Sequence, residues 1–336
     1  MAIVLVAGGA GYVGSHACKA LAAAGHEPVV FDNLSTGWRR AVRYGPLVEG
    51  DLLDQAALDR AFATHHPQAV MHFAALSEVG ESARRPDLYW RINATGSLNL
   101  AAAARANGVG AFVFSSTCAT YGEARGDCLT EDDPQAPISP YGRTKLAVEQ
   151  MLGDFHAAFG LRTVIFRYFN AAGADPAREI GEEHRPETHL IPLVLDAASG
   201  RREAITVFGT DYPTPDGTCI RDFIHVSDLA DAHVLGLDWL LRGGDADGDG
   251  ARDGAPLALN LGSGTGHSVR AVIEAARAVS GADIPVVEGP RRPGDPARLV
   301  SGSARAEQVL GWRPRRSTLD SMVADAWAWH QTGGYR

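Results

Sequence analysis

Short apolar runs alternate along the first half of the chain with longer stretches in which apolar residues return every three or four positions. The runs Ile3–Ala7, Pro28–Phe31, Pro46–Glu49, Ala69–Phe73, Ala111–Ser115 and Arg162–Arg167 have the length and the β-branched or aromatic content of strands. Ala-rich stretches near 12–24, 55–64, 87–106 and 140–159 carry the period of amphipathic helices. This alternation predicts βαβ units, hence a parallel sheet with right-handed crossovers. The strands are apolar at successive positions, so the sheet is expected to be covered on both faces. After about residue 170 the rhythm breaks. Loops rich in Gly, Pro and charge at 173–187, 209–221, 243–256 and 289–298 separate shorter elements. Residues 1–170 are therefore expected to form one unit, with later strands returning to it, and 171–336 mainly a smaller lobe.

Composition narrows the classes. The 336 residues are 45% hydrophobic and 21% charged, which excludes a disordered chain. A net charge of −9 provides no bulk field for nucleic acid, so an anionic ligand must be held by local cations. No apolar run reaches the roughly 18–20 residues that span a bilayer. The start, MAIVLVAGG, has no basic n-region and reads as a first strand rather than a signal peptide. Cys18, Cys118, Cys128 and Cys219 are scattered, with no CxxC pair. They argue against a structural zinc site and for a reducing, cytoplasmic compartment. No metal, nucleic-acid or membrane partner is expected. The frame Asp245-Ala-Asp247-Gly-Asp249-Gly250 mimics a calcium loop, but Pro256 stands at its twelfth position, where a bidentate Glu is required. The acidic loop 245–254 reads as a solvated hairpin.

Gly8-Gly9-Ala10-Gly11-Tyr12-Val13-Gly14 follows the first strand and opens the first helix. Glycines at 8, 11 and 14 allow a tight turn, close approach of the backbone to a pyrophosphate and close packing of the helix on the sheet. In a strand–turn–helix frame this is the fingerprint of a dinucleotide site. The expected fold is therefore α/β, a Rossmann-type doubly wound parallel sheet with a smaller C-terminal α/β substrate lobe. Asp32 ends the second strand beside Asn33. An acid there accepts hydrogen bonds from the adenosine ribose hydroxyls, which favours NAD over NADP. Arg39 and Arg40 nearby keep a 2′-phosphate open. Asp51 and Leu52 follow the third strand and are placed to cap the adenine. Phe73, Ala74 and Ala75 follow the fourth and offer small residues along the far ribose. Asn93 lies on the next helix, either against the cofactor or in a buried helix–helix hydrogen bond.

Tyr141 and Lys145 follow Ser139-Pro140, a good helix start. At a spacing of four they share one face. A free phenol titrates near 10, and lowering it by about 3 units needs about 4 kcal/mol in favour of the phenolate. A neighbouring ammonium together with a positive nicotinamide ring is expected to supply it. Of 31 basic residues only two, Lys19 and Lys145, are Lys, so a compact ammonium at 145 stands out. Thr117 ends the fifth strand, facing the ligand crevice, and can pass a proton between a substrate hydroxyl and Tyr141. Cys118 reads as packing, since no His partner is evident.

Together these residues resemble the extended short-chain dehydrogenase/reductase family, and within it the group of UDP-glucose 4-epimerases. The resemblance runs over nearly the whole chain, through GGAGYVGSH (8–16), FDNLSTG (31–37), HFAALSEVGES (72–82), FSSTCATYG (114–122), SPYGRTKLAVE (139–149), RYFNAAGADP (167–176), DGTCIRDFIHVSDLADAH (216–233), NLGSGTGHSV (260–269) and PRRPGD (290–295). The first and fifth are generic to the superfamily; RYFNAAGADP, IRDFIHV and PRRPGD are more specific. The resemblance implies inversion at carbon 4 of a UDP-hexose by way of a transient 4-keto sugar and bound NAD. It implies catalysis by Tyr141, Lys145 and Thr117. It places Tyr12, Val13, Asn33, Phe169, Tyr141 and Lys145 at the cofactor with the residues named above, and Thr117 and Tyr141 at the substrate as well. It assigns the UDP-sugar to the second lobe: Asn170 at the diphosphate or sugar, His189 and Leu190 along the nucleotide, Val207 and Phe208 at the uracil. Arg221, Arg292 and Asp295 would hold diphosphate and ribose, and Leu299 would set pocket size. It also implies a homodimer through the helices at 87–106 and 140–159. UDP-N-acetylhexosamines and UDP-pentoses remain alternative substrates. Sugar-nucleotide dehydratases and decarboxylases need an acid after the Thr, where this chain has Cys118 and Ala119. A non-catalytic NAD(H) sensor would be expected to lose Tyr141 or Lys145.

Overall fold

The structure is a computed structural model that describes all residues except 124, 125, 127, 245–254, 293, 294 and 336. The calcium-loop frame at 245–254 therefore lies outside the described residues. Six strands of the first half are β1 Ile3–Ala7, β2 Glu27–Asp32, β3 Leu47–Glu49, β4 Ala69–His72, β5 Ala111–Thr117 and β6 Arg162–Tyr168. Seven more follow: β7 Asn170–Ala172, β8 Ile205–Phe208, β9 Ile220–His225, β10 Leu257–Leu261, β11 Gly266–Ser268, β12 Val286–Gly289 and β13 Arg298–Leu299. The main sheet has the order β10-β6-β5-β4-β1-β2-β3, every neighbour parallel. The strand order reverses between β1 and β4, which fixes a crevice outside their carboxyl ends.

Both faces of this sheet are covered, as the apolar strands require. Helices Tyr12–Ala23 and Val226–Leu241 pack on one face through Leu21, Val6, Phe166 and Leu237, all fully buried. Helices Gln55–His65, Gly96–Ala106 and Pro140–Phe159 cover the other through Phe62, Leu100, Leu152, Phe112 and Phe114. Local chemistry sets the helix ends. Ser139 Oγ accepts from Gly142 N at 3.1 Å and Pro140 takes the first turn, while Gly160 closes the helix at φ 68°. The single helix expected over 87–106 is instead Pro86–Tyr89, a π-helical segment Trp90–Thr95, and Gly96–Ala106. The widened turn carries Asn93, whose tertiary hydrogen bonds are described below, and tertiary bonds of this kind leave no periodic trace in the sequence.

The second lobe has its own core, in which helices Leu190–Ala198, Val269–Ser280 and Leu319–His330 close over β8 and Phe223. Its centre is β9. That strand pairs antiparallel with β11 and parallel with β7 and β13. β8 and β12 form a separate parallel pair. β10, from the second half of the chain, completes the main sheet beside β6. No helix among the described residues is long and apolar enough to cross a membrane.

Candidate active site

The turn after β1 forms as its glycines dictate. Gly8 has φ 84°, and a Cβ there would lie 2.5 Å from Ala74 N, because the loop after β4 folds directly against it. Ala74 N donates to Ala7 O at 3.0 Å, holding the two loops together at the switch point. A Cβ on Gly14 would meet Gly8 O at 2.1 Å. The helix Tyr12–Ala23 begins at Gly11 with no side-chain cap and no acid in its first turn, so its orphan N–H groups stay available to an anion. This cradle fits a pyrophosphate. Gly14→Ala should therefore cost the protein its copurifying dinucleotide and lower its Tm. A wild-type absorbance ratio at 260 and 280 nm and an unchanged Tm would refute that close fit.

The other candidate cofactor residues gather around the same crevice. Asp32 is buried; one carboxylate oxygen accepts from Ala10 N at 3.0 Å and the other from Leu34 N at 2.8 Å. Burial raises its pKa and the two backbone donors oppose the rise. Asn33 Nδ2 donates to Asp51 Oδ2 at 2.9 Å, tying the ends of β2 and β3 together. Leu52 is buried and Gly96 lies close against it. Tyr12 donates its hydroxyl to Gly173 O at 2.7 Å, bridging to the second half of the chain, and Val13 packs into the core beneath the turn. The Phe73 ring centroid lies 4.9 Å from that of His233, with Ala74 and Ala75 following it. Asn93 makes the buried hydrogen bonds of the second of its two expected roles. Its Oδ1 accepts from Leu76 N at 2.8 Å, and its Nδ2 donates to Leu76 O at 3.0 Å and Thr144 Oγ1 at 3.2 Å. The amide pins the loop after β4 to the Tyr141 helix.

At the carboxyl end of β5 the Thr117 hydroxyl accepts from Ala119 N at 3.1 Å and hydrogen-bonds the Tyr141 phenol. Lys145 is buried, donates to Ser115 O at 2.8 Å and stands 4.8 Å from the centre of the Phe114 ring. Burial works against the acidification expected of the phenol. Burial pushes the Tyr141 phenol well above its ordinary value, Tyr168 adds to the rise, and the Thr117 hydrogen bond opposes it. Burial likewise lowers Lys145 to about 7, against a raising influence of Glu149. Both shifts have desolvation as their first cause, which favours the neutral form of each group. Cys118 is no proton donor or nucleophile at neutral pH, since burial pushes its thiol up to about 12.

The chain has two lysines, which makes their titration directly readable. In lysine-labelled, cofactor-free protein, Lys145 should change shift with a midpoint near 7, charged below and neutral above. Lys19, held by Asp175 and Glu179 at 2.8 and 2.7 Å, should stay charged throughout that range. Glu149→Gln should move the Lys145 midpoint lower still. A midpoint near 10 would overturn the desolvation argument.

Beneath these groups lies a polar network that the sequence reading passed over. Glu149, one further turn along the Tyr141–Lys145 face, is buried with Arg167, whose Nη2 reaches Glu149 Oε2 at 2.6 Å. Ser116 donates to Glu149 Oε1, and Gln135 Nε2 to Oε2 at 2.9 Å. Arg167 Nη1 donates to the Tyr121 hydroxyl at 3.0 Å, which donates to Asn260 Oδ1 at 2.7 Å. The spacing 141, 145, 149 was the signal available in the sequence.

The second-lobe candidates meet in part. Arg292 stacks its guanidinium 4.1 Å above the Phe208 ring, and Arg221 pairs with Asp295. Arg221 thus avoids its neighbour Asp222, whose carboxylate is spent on Ser263 N, Gly264 N and Ser301 N. Val207 and Phe208 point oppositely: the Val207 side chain is fully buried in the lobe core, so only its backbone can border a ligand. Asn170 donates to Asp222 O at 2.9 Å. Phe169 and Leu299 pack with Cys118 and Tyr121, joining the loop after β5 to the second lobe. Leu190 opens its helix after His189, whose imidazole turns to Glu182 at 2.5 Å.

Residues 4–246 match the NAD dependent epimerase/dehydratase family. A UDP-glucose 4-epimerase of Rhizobium leguminosarum bv. trifolii is 53% identical over 97% of this chain and 97% of its own. The crystal structure of a UDP-glucose 4-epimerase from Brucella ovis in complex with NAD is 48% identical, covers 98% of each chain and superposes with a TM-score of 0.92. A Stenotrophomonas maltophila UDP-glucose-4-epimerase solved with bound NAD and formylated UDP-arabinopyranose is 39% identical over 99% of each chain, with a TM-score of 0.92.

Proposed function

The chain belongs to the NAD dependent epimerase/dehydratase family, and from that premise we propose that it interconverts UDP-glucose and UDP-galactose by inverting sugar carbon 4, as an NAD-dependent isomerase. The observation that carries this is the hydrogen-bonded Tyr141–Thr117 pair, with Lys145 behind it, on the edge of the sheet that also bears the glycine turn.

The turn at Gly8, Gly11 and Gly14 holds the dinucleotide pyrophosphate and Asp32 its adenosine ribose. NAD, when bound, supplies the hydride acceptor for carbon 4, the donor that returns the hydride, and a positive ring that favours the phenolate. Tyr141 takes the proton of the sugar 4-hydroxyl, relayed by Thr117, and gives it back after the 4-keto sugar has turned over. Arg221, Arg292 and Asp295 hold the UDP while the hexose stays loosely held, because the sugar must present both faces. Arginine suits that task through its planar, bidentate contact with phosphate. On this reading residues 1–170, completed by β10, bind NAD, and 171–336 mainly bind the UDP-sugar.

UDP-galactose mixed with purified protein should yield UDP-glucose without added NAD. A requirement for stoichiometric NAD, or release of NADH, would refute the proposal. UDP-pentoses are a second reading, favoured by the arabinopyranose nucleotide in the Stenotrophomonas relative, and relative turnover of UDP-arabinopyranose decides it. A homodimer is supported by Trp90, Leu98, Ile138 and Phe159, large apolar side chains exposed on or beside the helices at 86–106 and 140–159. Light scattering with Leu98→Glu tests it. A cytoplasmic setting is supported by four cysteines that form no disulfide.

A further inference from the structure

We propose that Glu182, His184, Glu187 and His189 form a binding site for one divalent transition-metal ion of the zinc type. These four residues fall within eight positions of chain, and one ligand atom from each lies within 4.8 Å of all the others. The donor set is two imidazoles and two carboxylates. That mixture suits zinc, cobalt or nickel, whereas calcium and magnesium require an all-oxygen shell of six or more ligands. The scattered cysteines, which spoke against a structural zinc site, do not bear on it.

The spacing points to an ion rather than to hydrogen bonds alone. His184 Nδ1 lies 3.4 Å from Glu182 Oε1 and 3.6 Å from Glu187 Oε2, and His189 Nδ1 lies 3.7 Å from Glu187 Oε1. These separations are too long for good hydrogen bonds. The two from His184, each to one carboxylate oxygen, are close to the edge of a tetrahedron with zinc bonds of 2.0–2.2 Å, roughly 3.4 Å. His184 Nδ1 is buried and makes no hydrogen bond that meets ordinary geometry. His189 Nδ1 to Glu182 Oε1, at 2.5 Å, is the one contact that must open, and His189 is half exposed and able to move.

The backbone beneath is already anchored. Trp329 Nε1 donates to Glu182 O at 3.1 Å and Trp38 Nε1 to Glu183 O at 2.9 Å. Glu187 Oε1 accepts from Thr188 N and His189 N at 2.8 and 2.9 Å, and the Thr188 hydroxyl donates to Glu78 Oε1 at 2.5 Å. Such support fixes ligand direction before an ion arrives, which lowers the ordering cost of binding.

The test uses the full-length, NAD-containing protein carrying Cys128→Ser, which removes an exposed thiol as a competing ligand. After a chelator wash, zinc chloride titrated calorimetrically should bind with one equivalent per chain. It should raise the Tm, and cobalt should give visible d–d bands of a low-coordinate N/O site. Glu187→Gln, and separately His184→Gln, should weaken binding by more than the roughly 10–100-fold typical of supporting partners. Retained NAD in each variant shows that it is folded. Absence of saturable binding, or one-to-one binding that survives both substitutions, would mean the four residues form an ion-pair cluster only and would overturn the proposal.

Discussion

Tyr141→Phe is expected to reduce kcat by at least the 10²–10⁴-fold typical of a lost general acid–base group, with copurifying NAD unchanged. The substitution keeps the ring and removes only the hydroxyl that meets Thr117. It leaves the glycine turn and Asp32 untouched, so binding and chemistry separate cleanly. The structure also says which pH limb belongs to this residue. Burial raises the phenol well above its ordinary value. The working phenolate therefore depends on the assembled holoenzyme, and kcat should fall as pH is lowered through its working pKa. Thr117→Val, which removes one hydrogen bond worth about 1 kcal/mol, should cost roughly five- to tenfold and move that limb upward. An active Tyr141→Phe enzyme would end the assignment. A Thr117→Val enzyme with an unmoved pH limb would remove Thr117 from it.

Breaking the buried pair under the site should have the largest effect on stability. Arg167→Met leaves the Glu149 carboxylate buried with only Ser116 and Gln135 as donors. Removing one partner of such a pair costs about 3–5 kcal/mol, because the remaining charge is uncompensated. The double variant Glu149→Leu/Arg167→Met should recover much of that loss, since two apolar side chains avoid both desolvation penalties. Chemical denaturation of the four proteins gives the cycle. Single variants that lose less than about 1 kcal/mol would show that the pair is not stabilising as built. The double variant should still be catalytically impaired, because without Glu149 the already depressed Lys145 loses the charge that supports its protonated form.

Much of this was readable from one sequence, and for identifiable reasons. The glycine spacing at 8, 11 and 14, the acid at 32 and the Tyr141–Lys145 pair depend on contacts within one βαβ unit or one helix turn. Periodicity and turn chemistry report such contacts. Asn93 was readable only as a choice between two roles. Its partners Leu76 and Thr144 lie 17 and 51 residues away. Which of Val207 and Phe208 faces outward was hidden for the same reason, because strand pairing with β12 decides which face of β8 is core.

The sequence by itself determined the sheet-and-helix alternation, the glycine turn after β1 and the shared helix face of Tyr141 and Lys145, since each is a local pattern with a local physical cause. The tertiary structure alone decided three things. It paired Arg221 with Asp295 rather than Asp222. It set Glu149 and Arg167 as a buried brace under Lys145. It buried the Tyr141 phenol and the Lys145 ammonium so that desolvation dominates the shift of each. Pairing and dielectric environment depend on what distant segments bring together, and a linear pattern of residues carries neither.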